Sequence, residues 1–195
     1  MTGLRERWRL KAMRAIQERA LDLFDEKGFG AVTIEEIAAA AEVSPSSVYR
    51  IFGTKEGIVV TDIEFDTMSP EALEGILAPE DPVGSLVRAV RAYESAPGAA
   101  GGPEAGRGPW RRIRYFFAEP SVRMAVCAML DRASQRVAPL VASAGRLSET
   151  QARVATNALT FGYFAALEQW YLDGGSRPIA DYVEEGLRPL RGIWS

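Results

Sequence analysis

The sequence has no histidine and only one cysteine, Cys127. Without histidine there is no Ser–His or Cys–His pair for nucleophilic catalysis, and the most common zinc ligand is missing. A single cysteine cannot form an internal disulfide, and this usage is typical of a reducing compartment. We therefore expect no enzyme activity, no metal site and no cofactor.

Long apolar runs are also lacking. The most apolar window spans Val154 to Leu167, which is shorter than the ~18 residues that a membrane-spanning helix needs. The N-terminal residues, MTGLRERWRLKAM, are charged and contain no apolar core of the kind found in secretory signals. We expect a cytoplasmic protein that does not enter the membrane.

Charge is distributed unevenly along the chain. Residues 1–55 carry nine basic and eight acidic side chains, whereas residues 56–195 carry fourteen and eighteen. Within residues 1–19 the basic side chains outnumber the acidic ones by six to two. A basic end on an otherwise acidic chain is what a DNA contact requires, although a solvated helix face has a similar composition.

Apolar residues recur at helical spacing along nearly the whole chain, and no segment has the alternating pattern of a strand. Gly28 is expected to end the first helix, and a fourth helix is expected from Lys55 to about Thr67. A final amphipathic helix is predicted over about 178–192. Residues 96–109 contain five glycines and three prolines, which predicts a flexible loop.

Two short helices separated by a tight turn are predicted over Ile34–Ala41 and Pro45–Phe52, which is helix-turn-helix spacing. Thr33 and Glu36 predict a capping box at the start of the first helix, and Ser44 caps the second. The alternative interpretation of this pattern is a compact helical corner without a role in DNA binding.

The second of these helices is amphipathic. Val48, Ile51 and Phe52 form the face that is expected to point inward. The opposite face carries small residues, a Tyr and an Arg, namely Pro45, Ser46, Ser47, Tyr49 and Arg50. Small residues let a helix backbone approach the major groove closely, and the helix N-terminus offers unpaired N–H groups to phosphates.

The stretch TIEEIAAAAEVSPSSVYRIFGTKEGI resembles the DNA-binding signature of TetR-family transcriptional regulators. The resemblance covers roughly residues 12–60 and includes the preceding ALDLFDEKGFGAVT. It implies an all-α protein with two domains. Residues 1–55 would form an N-terminal three-helix helix-turn-helix DNA-binding domain, joined to a larger helical ligand-binding and dimerisation domain over residues 56–195.

The resemblance also implies roles for individual residues. Four of them fall where family members bind phosphates: Thr33, Ser44, Tyr49 and Lys55. Another group falls where base edges are read, with the last member as a helper: Pro45, Ser46, Ser47 and Arg50. A basic segment that includes Arg5, Arg7 and Arg9 is expected to contact phosphates or the minor groove. Because the recognition face has few long polar side chains, we expect modest direct readout of bases.

The last two helices, over about 148–173 and 178–192, carry more apolar surface than a monomer buries. The resemblance and this pattern together predict a homodimer in which two copies of the helix pair form a four-helix interface. The alternative is that this surface belongs entirely to the core of one chain.

A ligand pocket is predicted from apolar and aromatic residues in the second domain. The candidates are Trp110, Arg114, Phe116, Phe117, Met124, Cys127, Phe161 and Phe164. Arg111 and Arg112 lie beside Arg114, and this cluster next to an apolar pocket predicts an apolar or acyl-CoA-like effector with an anionic head group. The alternatives are a plain hydrophobic core and a solvated basic helix face.

The predicted function is that of a homodimeric repressor. It would bind a palindromic double-stranded DNA operator and be released by a small molecule that tilts the helix beginning at Lys55. An activator of the same family is the alternative that the sequence cannot separate from a repressor. A helical small-molecule enzyme or carrier is the alternative from another class.

Overall fold

The computed structural model describes residues 2–95 and 109–193 of the chain, so the predicted loop lies almost entirely outside the described residues. These two ranges contain helices and turns but no strand. The α-helices in chain order are α1 Thr2–Lys27, α2 Ile34–Ala40, α3 Pro45–Phe52, α4 Lys55–Val60, α5 Ile63–Thr67, α6 Pro70–Ile76, α7 Pro82–Ser95, α8 Pro109–Ala118, α9 Pro120–Ser143, α10 Glu149–Leu172 and α11 Ile179–Leu187. Short 3-10 helices occupy Phe29–Ala31 and Arg188–Ile193.

The first three helices share one apolar core. Ile16 and Phe24 of α1 are buried against Ile37 of α2, and Val48 and Phe52 of α3 complete the core. Helices α2 and α3 pack directly on each other, and α1 packs on α2. The inward face predicted for the second short helix is confirmed for Val48 and Phe52, which leaves the opposite face of α3 in solvent.

The expected continuous fourth helix is wrong, because the chain breaks after Val60. Thr61 has an extended backbone, with φ −61° and ψ 118°, and Asp62 begins a new helix by accepting a hydrogen bond from the Phe65 N–H at 3.0 Å. β-branched residues have modest helix propensity, whereas Asp is a strong N-cap. The run Val59-Val60-Thr61-Asp62 therefore favours ending one helix and capping another.

The second domain is built around α10, which packs on α8, α9 and α11. Helix α7 packs on α11, and α4 packs on α8 and α9 as well as on α1. The predicted final helix is shorter than expected, since α11 ends at Leu187 and a 3-10 segment follows. Pro189 explains the difference, because proline has no N–H for an α-helical hydrogen bond. None of the helices in the described ranges combines the length and apolarity needed to cross a membrane.

Two glycines permit close approaches between neighbouring elements. A Cβ on Gly57 of α4 would lie 2.0 Å from the Phe52 carbonyl oxygen, at the end of α3. A Cβ on Gly162 of α10 would lie 2.6 Å from a methyl group of Leu187 in α11. Gly57 therefore fixes the tight α3–α4 turn, and Gly162 serves the contact between α10 and α11 of the same chain.

We predict that Gly57→Ala destabilises the protein by about 1–3 kcal/mol, because the added methyl group collides with backbone rather than with a movable side chain. Gly75→Ala is the matched control: this helical glycine of α6 has nothing within 4 Å of the added position. The control should be neutral or stabilising by up to about 1 kcal/mol. Denaturant unfolding measures both free energies, and equal stability of the two variants would contradict the assigned contact.

Candidate DNA-binding surface and effector cavity

The start of α2 is held by a capping box. The Thr33 hydroxyl oxygen accepts from the Glu36 N–H at 3.2 Å, and the Glu36 carboxylate accepts from the Thr33 N–H at 2.9 Å. Lys27 at the end of α1 donates to the other Glu36 oxygen at 2.9 Å. The predicted capping box is confirmed, and the Lys27 contact adds a link between α1 and α2.

The turn between α2 and α3 contains a strained residue. Glu42 has φ 56°, in the left-handed region that non-glycine residues rarely occupy. The Val43 N–H donates to the Ala38 carbonyl at 2.9 Å, and the Glu42 N–H donates to the Ala39 carbonyl at 3.2 Å. This is the Schellman arrangement for ending a helix, and it reverses the chain within two residues. The turn fixes the angle at which α3 leaves α2.

Helix α3 begins with a cluster of hydroxyl groups. The Ser44 oxygen accepts from the Ser47 N–H at 3.2 Å, and the hydroxyl oxygens of Ser46 and Ser47 lie 3.0 and 2.9 Å from it. The predicted Ser44 cap and the Pro45 at the first helical position are confirmed. The three hydroxyls contact one another in this structure. Because a hydroxyl group rotates, each can bind a phosphate or a base edge instead.

The remaining outward residues of α3 are available to a partner. Tyr49 is 49% exposed, and Arg50 and Pro45 are exposed as well. Among the described residues, no hydrogen bond or ion pair engages the side chain of Tyr49 or Arg50. The structure therefore brings the predicted recognition residues together on one open face, while Val48 and Phe52 anchor its reverse.

The Lys55 side chain makes more contacts within the protein than a residue that only binds a DNA phosphate would make. Its ammonium group donates to the carbonyls of Phe29 and Val32 at 2.6 and 2.9 Å and lies 4.4 Å from the centre of the Phe29 ring. Two of its three N–H groups are thus used within the chain. The side chain ties the start of α4 to the segment before α2, and one N–H remains for a phosphate.

The basic N-terminal segment is helical, since α1 begins at Thr2. Arg7 and Arg9 are exposed, with Arg7 donating to the Gly3 carbonyl and Arg9 lying 3.7 Å from a Glu6 carboxylate oxygen. The side chain of Arg5 lies outside the described residues. A helix does not enter a minor groove as an extended arm does, so phosphate contact is the role that suits this geometry.

A cavity of about 320 Å³ opens in the second domain. Its wall is mostly apolar and comes mainly from α5 to α10, with Val60 at the end of α4 and Ile179 at the start of α11. Phe116 and Phe164, both predicted ligand-binding residues, line it. Their role in binding remains a prediction, but their position is consistent with it.

The other predicted pocket residues lie elsewhere. Met124 is 76% exposed on α9, and Phe161 is 39% exposed on α10. Phe117 stacks on the far side of Phe164, with ring centres 5.1 Å apart, and Cys127 is half-buried outside the cavity lining. Helical spacing identified apolar residues here but not which side of each helix faces the cavity. The side chain of Trp110 lies outside the described residues.

The prediction that three neighbouring arginines lie at the pocket is wrong for Arg111 and Arg114. Arg111 forms ion pairs with Asp22 and Asp25 of α1, at 2.6 and 2.5 Å, and Arg114 also pairs with Asp25. Asp25 accepts a further hydrogen bond from the Tyr115 hydroxyl at 2.7 Å. Burial and this carboxylate raise the pKa of Tyr115 to about 12. The cluster joins α8 to α1 instead of binding a head group.

Arg112 is the member of this cluster that reaches the cavity. It lines the wall and donates to the Thr61 carbonyl at 3.1 Å, while Asp62 lies 3.9 Å away. The same Thr61 carbonyl accepts from the side-chain amide of Gln17 in α1 at 3.1 Å. The break between α4 and α5 is therefore in contact with both the DNA-binding helices and the cavity.

Comparison with known proteins agrees with this arrangement. Residues 16–60 match the family model described as "Bacterial regulatory proteins, tetR family". Residues 16–60 thus form a DNA-binding domain of the TetR type. TcmR of Streptomyces glaucescens, an HTH-type transcriptional regulator, is 36% identical over 91 residues, which cover 46% of this chain and 40% of TcmR. The match thus spans less than half the length of that relative.

The fold of the chain as a whole is shared with solved structures. The crystal structure of NalD, the secondary repressor of the MexAB-OprM multidrug efflux pump in Pseudomonas aeruginosa, has a TM-score of 0.55 at 23% identity, covering 92% of this chain and 94% of NalD. The fatty acid degradation regulator FadR from Bacillus halodurans has a TM-score of 0.57 at 14% identity, covering 92% and 97%. Both similarities extend through the second domain and show a common fold.

Several residues that line the cavity were not predicted from the sequence. Phe65 of α5, Leu73 of α6 and Leu86 of α7 line the wall, as do Tyr93 of α7 and Tyr163 of α10. For Phe65, Leu73, Leu86 and Tyr93 the available signal was apolar spacing over 63–93, but helical spacing alone does not show which face of a helix lines a cavity.

We predict that Glu36 titrates at a pKa of about 2 in the folded protein, because Lys27 and the Thr33 N–H both bind its carboxylate. The folded pKa lies below the ordinary value of 4.5, so the contribution to stability is complete above that pH and is lost as pH falls towards 2. Side-chain NMR of Glu36 measures the midpoint. Lys27→Met should raise it, whereas Lys11→Met, on the exposed part of α1, should not; a wild-type midpoint near 4.5 would contradict the contact.

Proposed function

We propose that this protein is a cytoplasmic, homodimeric repressor that binds a palindromic operator and leaves it when a small molecule occupies the cavity. The observation that carries the proposal is the placement of α4. This helix begins directly after the exposed α3 and ends at Val60, which lines the cavity. A change at the cavity wall therefore reaches the recognition helix through one short rigid element.

The surface of α3 supports the DNA-binding part. Pro45, Ser46 and the Tyr49 ring give it a narrow, low profile that fits a major groove, and Arg50 adds one positive charge. Tyr49 offers a hydroxyl to a phosphate or a ring edge to a thymine methyl. With few long polar side chains, specificity would depend on shape and on sequence-dependent DNA deformability as well as on base contacts.

An apolar stripe on α10 supports the dimer. Val154 and Leu172 are 66% and 69% exposed, and Phe161 lies between them on the same side of the helix. Ala165 continues the stripe, and the four residues, which are seven, four and seven positions apart, lie on one side of the helix as in a helix–helix seam. Gly162 faces α11 within the chain, so the stripe is a separate surface. A second copy of α10 is its proposed occupant, which would place two α3 helices on one operator.

Simultaneous replacement of Tyr49 and Arg50 by Ala should weaken DNA binding at every operator sequence, because both contacts are to the backbone or are shared between sites. Loss of Arg50 from both subunits of the dimer should reduce the magnitude of the salt-dependence slope by about 2. The assay is anisotropy of a labelled fragment selected from a random DNA pool. Arg91→Ala, an exposed arginine on α7, is the control and should bind like wild type. Unchanged affinity of the double variant would exclude α3 as the recognition helix.

Phe161→Arg should convert the dimer to a monomer, since it places a charge in the middle of the α10 stripe. Met124→Arg introduces the same charge at an exposed apolar residue on α9, away from the stripe, and should remain dimeric. Sedimentation velocity at micromolar concentration distinguishes the two masses. A monomeric wild-type protein, or a Phe161→Arg variant that stays dimeric, would rule out this interface.

A further inference from the structure

We infer that the cavity takes a compact, uncharged aromatic ligand whose carbonyl or phenol oxygen accepts a hydrogen bond from Arg112. This inference rests on the proposed function, because it assigns the chemistry of the effector that the cavity would bind. It rests on the unpaired Nε–H of Arg112 and on the aromatic rings that line the same cavity.

Three polar residues of the wall lie near one another and define one end of the cavity: Arg112, Asp62 and Tyr163. Arg112 and Asp62 lie 3.9 Å apart there, and Tyr163 is close enough to both for their charges to act on its hydroxyl. Burial and the Asp62 carboxylate raise the pKa of Tyr163, while Arg112 opposes this effect. Tyr163 is therefore a neutral phenol near pH 7, able to donate to or accept from a ligand oxygen.

Arg112 has unused hydrogen-bonding capacity at this end. One N–H donates to the Thr61 carbonyl, but Nε is enclosed and has no hydrogen-bond partner among the described residues. Asp62 does not supply the missing acceptor for Arg112. Its carboxylate lies 3.9 Å from the guanidinium group, beyond hydrogen-bond distance, and it already caps α5. An enclosed guanidinium N–H without an acceptor is unfavourable, so a small rotation of Arg112 towards a ligand oxygen would remove this cost.

The rest of the wall is mostly aliphatic but includes five aromatic rings that a flat ligand can contact. Phe65, Phe116 and Phe164 line the cavity together with the rings of Tyr93 and Tyr163. Aromatic side chains pack well on the faces and edges of a flat ring system. The volume of about 320 Å³ lies at the small end of the range for ligand pockets, which suits a ligand of a few fused rings.

An anionic amphiphile is disfavoured by the same wall. Arg112 is the one cationic residue among the described residues that line the cavity, and Asp62 offsets its charge. Arg111 and Arg114, which would have completed an anion site, are paired with carboxylates of α1. A neutral oxygen acceptor needs only the hydrogen bond from Arg112, whereas a carboxylate or phosphate would lie beside Asp62 without a second cation.

Occupancy would act on DNA binding through Thr61. Its carbonyl accepts from Arg112 and from Gln17, and Thr61 ends α4. A rotation of Arg112 towards a ligand oxygen would weaken its hydrogen bond to the Thr61 carbonyl and leave Gln17 as the other donor to that group. The close contact of Gly57 with the Phe52 carbonyl then transmits a shift of α4 to α3.

The experiment uses a pair of probes that differ in one acceptor: 9-fluorenone, which has a carbonyl, and fluorene, which does not. Protein fluorescence quenching gives both dissociation constants, and dodecanoate tests an aliphatic anion. We expect 9-fluorenone to bind the full-length protein about tenfold tighter than fluorene and dodecanoate, the usual effect of a hydrogen bond to a charged donor. Arg112→Met, which keeps an apolar stem, should abolish the difference between the first two probes. Arg91→Met is the matched control and should retain it.

Equal affinity of wild type for 9-fluorenone and fluorene, tighter binding of dodecanoate, or no saturable binding of 9-fluorenone would each overturn the inference without use of any variant. Preserved discrimination in Arg112→Met would also overturn it. DNA binding is measured separately by anisotropy of the selected fragment. If no fragment is selected, the proposed function fails whatever the probes do. If a fragment binds and the probes are not discriminated, only the ligand assignment fails.

Discussion

The carbonyl of Thr61 is the point on which the two halves of this protein depend. It is left without a helical partner by the break between α4 and α5, and it accepts from Gln17 of α1 and from Arg112 of α8. A carbonyl has two lone pairs, so both donors can be accommodated at once. Helix α4 also contacts α1, α8 and α9. The Thr61 carbonyl at its end therefore connects α1, a DNA-binding helix, with α8, which forms part of the cavity wall.

One face of the recognition helix α3 is buried in the core, and the opposite face is exposed. Val48 and Phe52 are buried, the left-handed Glu42 fixes the entry to the helix, and Gly57 allows α4 to pass close to its end. Tyr49 and Arg50, in contrast, are exposed. Such a division lets the helix move as a rigid unit when α4 moves, which the proposed change of dimer geometry would require.

Much of the local structure followed from the sequence. The capping box of Thr33 and Glu36 and the Ser44 cap with Pro45 are patterns that act within one helical turn, so they predicted helix starts correctly. The break after Val60 was missed because apolar spacing continues through it, and only the competing cap at Asp62 ends the helix. Prediction of the site divided in the same way: the sequence predicted which residues of α3 lie on its exposed face, but it did not predict most of the residues that line the cavity.

The sequence by itself determined an all-α protein with a helix-turn-helix near its N-terminus, since caps, turns and helical periodicity are interactions between residues close in the chain. Tertiary structure decided what each long-range group does. Arg111, Arg112 and Arg114 are neighbours in sequence, yet two pair with carboxylates of α1 and one reaches the cavity. Phe161 and Phe164 lie one turn apart, yet one is exposed and one is buried. Whether each of these side chains is paired, buried or exposed depends on which elements pack beside it, and no local sequence pattern determines that packing.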